Sequence, residues 1–278
     1  MSMVTARNGT PPVAGASAVP GSRTPRSGRL PWRGLVGVIA ALAVWEVLAE
    51  VHAVSPLYLP TVQATASALG GNAGSLASAA GATLVSALVG AVVAGLAGAI
   101  LGLVTGYYRV LSELTEWIIR WFRSIPSLAF IPVAILFFGL TRTMITYLVG
   151  IACLWPVLVN TRYAARGLPR EYRDTATALH LSLPRFLGLV VLPACAPSIV
   201  SGLKTSLGIS LVAAVSAELI VGNGGLGGLA TSAQQDGSIG LVYAVIVLGG
   251  WLGWAITRLL AVLESRALRW NYRTAGNR

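Results

Sequence analysis

From Ala53 to Tyr108 the chain carries no Asp, Glu, Lys, Arg or His. No soluble domain keeps so long a run in water, because globular surfaces need charge to cover them. An uncharged run of this length fits a chain that enters a lipid bilayer. Composition agrees with this reading. Hydrophobic residues make up 55% of the 278 residues, charged residues 10%, and mean hydropathy is +0.74, whereas an ordinary soluble domain is about 25% charged. The chain reads as an all-α membrane protein.

Six apolar segments are long enough, or nearly so, to cross: 34–51, 76–104, 125–140, 143–160, 196–219 and 241–260. A cleavable signal peptide is the alternative for the first, with a tolerable site at Val51-His52-Ala53. The basic region ahead of it is too long for that, and Trp45-Glu46 interrupts the apolar core. The net charge of +11 invites a nucleic-acid reading, but its distribution opposes one. Arginines cluster beside alternate ends of the apolar segments, as in a positive-inside bias. Arg142 is the only basic residue expected outside, as an interfacial anchor or an anion contact, and Lys204 falls within a span. Both termini are therefore expected in the cytoplasm of a bacterial cell, with no nucleic acid as partner.

Residues 1–30 are rich in Pro, Gly, Ser and Arg without apolar periodicity and read as a disordered cytoplasmic tail. The membrane domain occupies 31–272, and 273–278 form a short C-terminal tail. In the outer loop after the first span, Thr61 is a candidate cap for a short helix. In the second span Gly98, Gly102 and Gly106 recur every four residues, a spacing that lets two helices approach closely. Packing within the chain and a dimer seam both fit this series. Pro126 and Pro132 are expected to kink the third span beside a cavity, and Trp155-Pro156 to break the fourth. Glu218, an ionisable residue in the fifth span, either faces a solute path or caps the outer loop.

The longest interior stretch mixing charge, helix formers and proline is Glu171 to Pro193, EYRDTATALHLSLPRFLGLVVLP. Ala176, Leu179 and Leu183 give a helix from 172 to 183 an apolar side, opposite Arg173, Asp174, Thr177 and His180. Pro184 is expected to stop it, and Arg185 to Leu192 to form a second helix at the membrane surface. Five arginines, Arg162, Arg166, Arg170, Arg173 and Arg185, place this loop in the cytoplasm, where a short surface helix suits the groove of a soluble partner.

Asp174-Thr175-Ala176, three residues, His180, nine residues, then Val190 to Pro193 resembles the EAA signature, E-A-A-x3-G-x9-I-x-L-P, of permease subunits of binding-protein-dependent ABC importers. Asp174 stands for Glu and keeps the charge; His180 stands for Gly at the turn. Leu59-Pro60, Arg123 to Pro126, Phe138-Gly139, Glu218 to Gly228, and Leu263-Glu264 through Trp270-Asn271 extend the likeness to the nitrate, sulfonate and taurine branch, over about Leu35 to Asn271. The resemblance implies a type I ABC importer permease fold with a coupling loop at about 165–193 that docks on an ATPase through Glu171, Asp174, Thr175, Ala176, His180 and Arg185. It also implies a binding protein outside, a homodimer embedded in membrane lipid, and ATP and Mg bound only by the ATPase. Glu218, Pro126 and Pro132 would border the path of a small anion such as a sulfonate, taurine or nitrate.

Other chemistry finds little support in the residues. The chain has no G-x-x-x-x-G-K-[ST] loop, and Gly222 to Gly227 matches G-x-G-x-x-G without the strand and acidic partner that a dinucleotide site needs. His52 and His180 are too few for zinc, and Cys153 and Cys195 sit in apolar surroundings as small buried hydrophobes. No cofactor, metal or catalytic set is expected. A six-span membrane enzyme or channel working without an ATPase is the alternative, resting on Glu46, Lys204 and Glu218.

Overall fold

A computed structural model describes residues 32–51, 54–55, 57–222 and 224–267, without the side chains at 33, 35, 263 and 265–267. The expected tails at 1–30 and 273–278, His52, and Trp270-Asn271 lie outside the described residues. The chain divides into two units, 1–43 and 44–278. The described part of the first is the start of α1 (Trp32–Glu50). Its apolar side chains, among them Val36, Val38, Ile39 and Leu42, are exposed.

The second unit is helical throughout, with no strand among its described residues. Thr61 caps α2 (Val62–Gly71), its hydroxyl accepting the Ala64 N–H at 3.1 Å. From the end of α1, Glu46 accepts the Val62 N–H at 2.6 Å, and Trp45 Nε1 donates to the Pro60 carbonyl at 2.9 Å. Of the donors freed at the start of α2, Val62 is thus satisfied by α1 and Ala64 by the Thr61 cap.

Four helices have the length and hydropathy to cross a membrane: α3 (Ala73–Tyr107), α6 (Arg142–Arg166), the run 183–221, and α11 (Ile239–Ala267). A fifth candidate is a bent pair. The amphipathic α4 (Arg109–Ser124) meets a 3-10 turn (Ser127–Phe130) and α5 (Ile131–Phe138) at 88°. The third span, expected over 125–140 with kinks at Pro126 and Pro132, starts at this corner beside Pro126, while Pro132 kinks nothing. Pro126 precedes the 3-10 turn and Pro132 lies in the first turn of α5, where a missing N–H breaks no helical hydrogen bond. The expected break at Trp155-Pro156 does not occur, since α6 runs on through Pro156 as far as Arg166, with Asn160 Nδ2 donating to the Pro156 carbonyl at 2.7 Å one turn further on.

α3, α6 and α9 (Leu192–Val221) share the main core, which includes Ala91, Met144, Leu148, Cys153 and Ala214. The glycine series of α3 sets the distance within it. A Cβ built on Gly98, Gly102 or Gly106 would stand 2.8, 2.6 or 2.7 Å from the Leu154, Leu158 or Arg162 carbonyl of α6. Packing inside the chain is therefore what the series serves. Large apolar side chains such as Val93, Leu96, Val212, Ile246 and Trp251 point away from this core and are exposed, as lipid-facing positions are.

Candidate functional site

α7 (Arg170–Ala178) lies between two of the spans, α6 and the helix that begins at Leu183. Pro169 sets its start, supplying a fixed φ where no donor is needed, and Glu171 puts a negative charge in the first turn. Its end is a left-handed cap at His180, φ +49°, the one non-glycine residue with positive φ among the described residues. The His180 N–H donates to the Thr177 carbonyl at 3.0 Å and the Leu181 N–H to the Ala176 carbonyl at 2.9 Å. These are the two hydrogen bonds of a Schellman cap, a geometry that glycine adopts most easily.

The helix therefore ends before Leu179, not at Pro184 as its apolar spacing suggests. Of the three expected apolar contacts only Ala176 is buried, against Ala165, Phe186, Val191 and Cys195. Leu179 is 65% exposed. Glu171, Asp174, Thr175 and His180 are exposed on α7, with Arg185 exposed just beyond it. The structure brings these five onto one solvent-facing stretch and uses Ala176 to pin it down.

The expected surface helix from 185 to 192 is corrected as well. α8 (Leu183–Phe186), a π-helical turn (Leu187–Val191) and α9 form one run of 39 residues. The π turn closes through the Leu192 N–H and the Leu187 carbonyl. By adding a residue to that turn it loosens the ladder just ahead of Pro193, whose ring a regular helix would press against a carbonyl.

Two side-chain groups tie the elements around this stretch together, one joining α7 to α3 and the other α6 to α4, and neither pairing was expected from the sequence. Arg173 donates to the Tyr107 carbonyl at 3.1 Å and lies 4.6 Å from the centre of the Tyr107 ring. Arg162 is buried in α6 and donates to the Ser112 carbonyl at 2.6 Å, to Ser112 Oγ at 3.1 Å and to Glu116 Oε2 at 2.7 Å. Arg166 reaches the same carboxylate oxygen at 3.2 Å, and Arg120 reaches Oε1 at 3.1 Å. The Arg120 hydrogen bond, with Arg162 and Arg166 beside it, holds the Glu116 carboxyl below its ordinary range. The signal was available: Ser112 and Glu116 sit four apart on α4, and Arg162 and Arg166 four apart on α6.

At the opposite end of α9, Glu218 is 2% exposed. Its Oε2 accepts from Thr83 Oγ1 at 2.8 Å and from the Gly227 N–H at 3.1 Å, while Thr83 Oγ1 accepts the Leu226 N–H at 2.8 Å. Glu218 and Thr83 thus bind the N-terminus of α10 (Gly225–Gln235) to α9 and α3. The glycine-rich turn allows it: a Cβ on Gly227 would fall 2.6 Å from the Leu219 nitrogen. Asn223 lies outside the described residues. Arg142 begins α6, and a Cβ on Gly224 would stand 3.8 Å from its Nη2.

Glu46 and Lys204 each have a partner in the structure. Glu46 holds Val62, and Lys204 Nζ lies 2.9 Å from Glu264 Oε2. Pro126 borders a cleft of about 440 Å³ with Arg123, Trp155, Pro156 and Asn160. Among the described residues no group of His, Cys, Asp or Glu is placed to hold a metal.

A sequence profile described as "Binding-protein-dependent transport system inner membrane component" matches residues 94–269. An archaeal ABC transporter permease protein from Methanocaldococcus jannaschii is 30% identical over 237 residues, spanning 83% of this chain and 88% of that one. A nitrate import permease protein from Synechocystis is 28% identical over 59% of this chain and 59% of its own length. An aliphatic sulfonates transport permease protein from Escherichia coli is 34% identical over 58% of this chain and 61% of its own. Among solved structures, a chain of the MetNI methionine ABC transporter in an inward-facing conformation superposes with a TM-score of 0.51. Its identity is 23%, over 70% of this chain and 93% of that chain, a likeness of fold.

Proposed function

The chain belongs to the family of binding-protein-dependent transport system inner membrane components, and from that premise we propose that it carries a small anion across the membrane in a homodimer driven by two docked ATPase subunits. Membership makes it a multi-pass membrane protein and the permease subunit of an ABC importer of the nitrate and sulfonate branch. ATP hydrolysis then belongs to a partner chain, and an ATPase and a binding protein are its working partners.

The finer reading counts α1 and the segment 125–140 with the four long apolar helices as six spans, with both termini cytoplasmic. α7 is the docking element, and Glu171, Asp174, Thr175, His180 and Arg185 meet the ATPase, which binds ATP and Mg. One observation carries this: between two spans the chain exposes a short charged helix whose only buried side chain is Ala176. A solvated helix with a single apolar anchor gains little from folding alone and is suited to a groove in another protein. Relatives named for nitrate and aliphatic sulfonates support a small anion as solute, delivered by the binding protein. The path runs between the two copies past the cleft at Pro126, with Pro132 behind it. Glu218 serves the path from a distance by fixing the outer turn.

Asp174→Lys tests the docking role in the reconstituted complex. The variant is expected to release the ATPase or to hydrolyse ATP without uptake, and normal transport would refute the assignment. An enzyme or channel working alone is disfavoured by the spans themselves, where Glu46, Lys204 and Glu218 are separately engaged and form no convergent polar set.

A further inference from the structure

We propose that the cleft where α3 passes into α4, facing the segment that leads into α7, holds the phosphate of an anionic phospholipid headgroup. The cleft measures about 330 Å³ and is lined by Tyr107, Arg109, Glu113, Arg166, Arg170 and Arg173 among others. Four guanidinium groups therefore share it with one carboxylate. Arg109 is paired with Glu113 at 3.0 Å, and Arg166 with Glu116 at 3.2 Å. Arg173 gives one N–H to the Tyr107 carbonyl, and the Arg170 side chain makes no hydrogen bond or ion pair among the described residues. The excess positive charge lies in an open recess, where planar guanidinium forks can each offer two N–H groups to a multi-oxygen anion.

The surroundings of the cleft favour a lipid over free phosphate. On α4, the polar arc that lines it gives way to Val110, Leu114, Trp117 and Trp121, all exposed. A helix with one charged and one aromatic-apolar side, joined to membrane-crossing helices, lies in the interfacial plane of the bilayer. A headgroup in the cleft would leave its acyl chains beside that apolar stripe, and basic recesses between spans are where such headgroups bind. The bound phosphate would bridge Arg109 of α4 and Arg170 of α7, so lipid charge would govern how freely α7 moves. The inference goes beyond the transport reading and needs only a chain embedded in a bilayer.

The test uses the full chain without its ATPase, in micelles containing phosphatidylcholine, titrated with phosphatidylglycerol or with inorganic phosphate. Native mass spectrometry reads retained lipid and thermal unfolding reads the shift in Tm. Phosphatidylglycerol is expected to be retained and to raise Tm saturably, with no response to added phosphatidylcholine or to millimolar phosphate. The Arg109→Gln, Arg170→Gln double variant should bind about tenfold more weakly, and Arg258→Gln, which removes one arginine elsewhere as Arg170→Gln does here, should bind as wild type. If the double variant does not fold, Arg170→Gln alone carries the comparison, since that side chain has no structural partner to lose. Equal retention of both lipids, or undiminished binding by the Arg170 variant, overturns the proposal. A Tm shift produced by phosphate alone assigns the cleft to a soluble anion and overturns the lipid.

Discussion

Arg162 Nη2 lies 2.7 Å from Glu116 Oε2 across 46 residues of sequence, and through this pair the last turn of α6 grips the surface helix α4. Removing the guanidinium strands polar groups more than it loses attraction. Arg162→Met leaves the buried Ser112 carbonyl and hydroxyl without their donor, a loss of about 1–3 kcal/mol. Thermal unfolding in detergent should show it, and Arg166→Met, whose side chain is 44% exposed, should change Tm less.

The same carboxylate sets a pH dependence. Its folded value lies below the ordinary 4.5, first through the Arg120 hydrogen bond and then through Arg162. A carboxyl with a depressed folded value contributes stability that is present above the ordinary value and is lost as pH falls through the folded one. Wild type should therefore exceed Glu116→Gln in Tm at neutral pH, with the gap closing only below pH 4.5. A gap unchanged down to pH about 3 would contradict the linkage.

His180 holds a left-handed backbone that costs a side chain about 1–2 kcal/mol relative to glycine. His180→Gly should slow hydrogen exchange at the Leu181 amide, which donates to Ala176. His180→Val, β-branched, should speed it and loosen the end of α7.

The outer clamp predicts a local effect. Thr83→Val removes the donor to Glu218 and the acceptor of the Leu226 N–H together, and should cost about 1–3 kcal/mol. Limited proteolysis should cut near 222–228 sooner than in wild type, while the α7 end keeps its native cleavage rate.

Which features could be read without coordinates follows from how local their causes are. The charge-free run, the Thr61 cap and the Gly98–Gly102–Gly106 series depend on residues within a turn or two and were legible. So was the short charged helix near Asp174, although its end was misplaced. Apolar spacing carried that helix on to Leu183, but the Schellman bonds of His180 and Leu181 close it first, and no periodicity reports a left-handed residue. Pro156 and Pro193 misled in the same way. Each disfavours an isolated helix, yet α6 runs through Pro156 while packed against α3 and α9 in the core, and Pro193 follows a π turn that loosens the ladder ahead of it. The Arg162–Glu116 and Glu218–Thr83 pairings stayed hidden because they join distant segments, and only the spacing of four, Ser112 with Glu116 and Arg162 with Arg166, hinted at the first of them.

The unbroken run from Leu183 to Val221 has a mechanical corollary. At about 1.5 Å per residue it is a strut of roughly 58 Å, with Arg185 near one tip and Glu218 near the other. A swing of about 5° at the foot would carry the far tip sideways by about 5 Å. Because Glu218 accepts the Gly227 N–H, such a sweep would carry the start of α10 along with it. Force applied at one end of the run would then arrive at the other as displacement, less whatever the π turn and Pro197 near the base absorb.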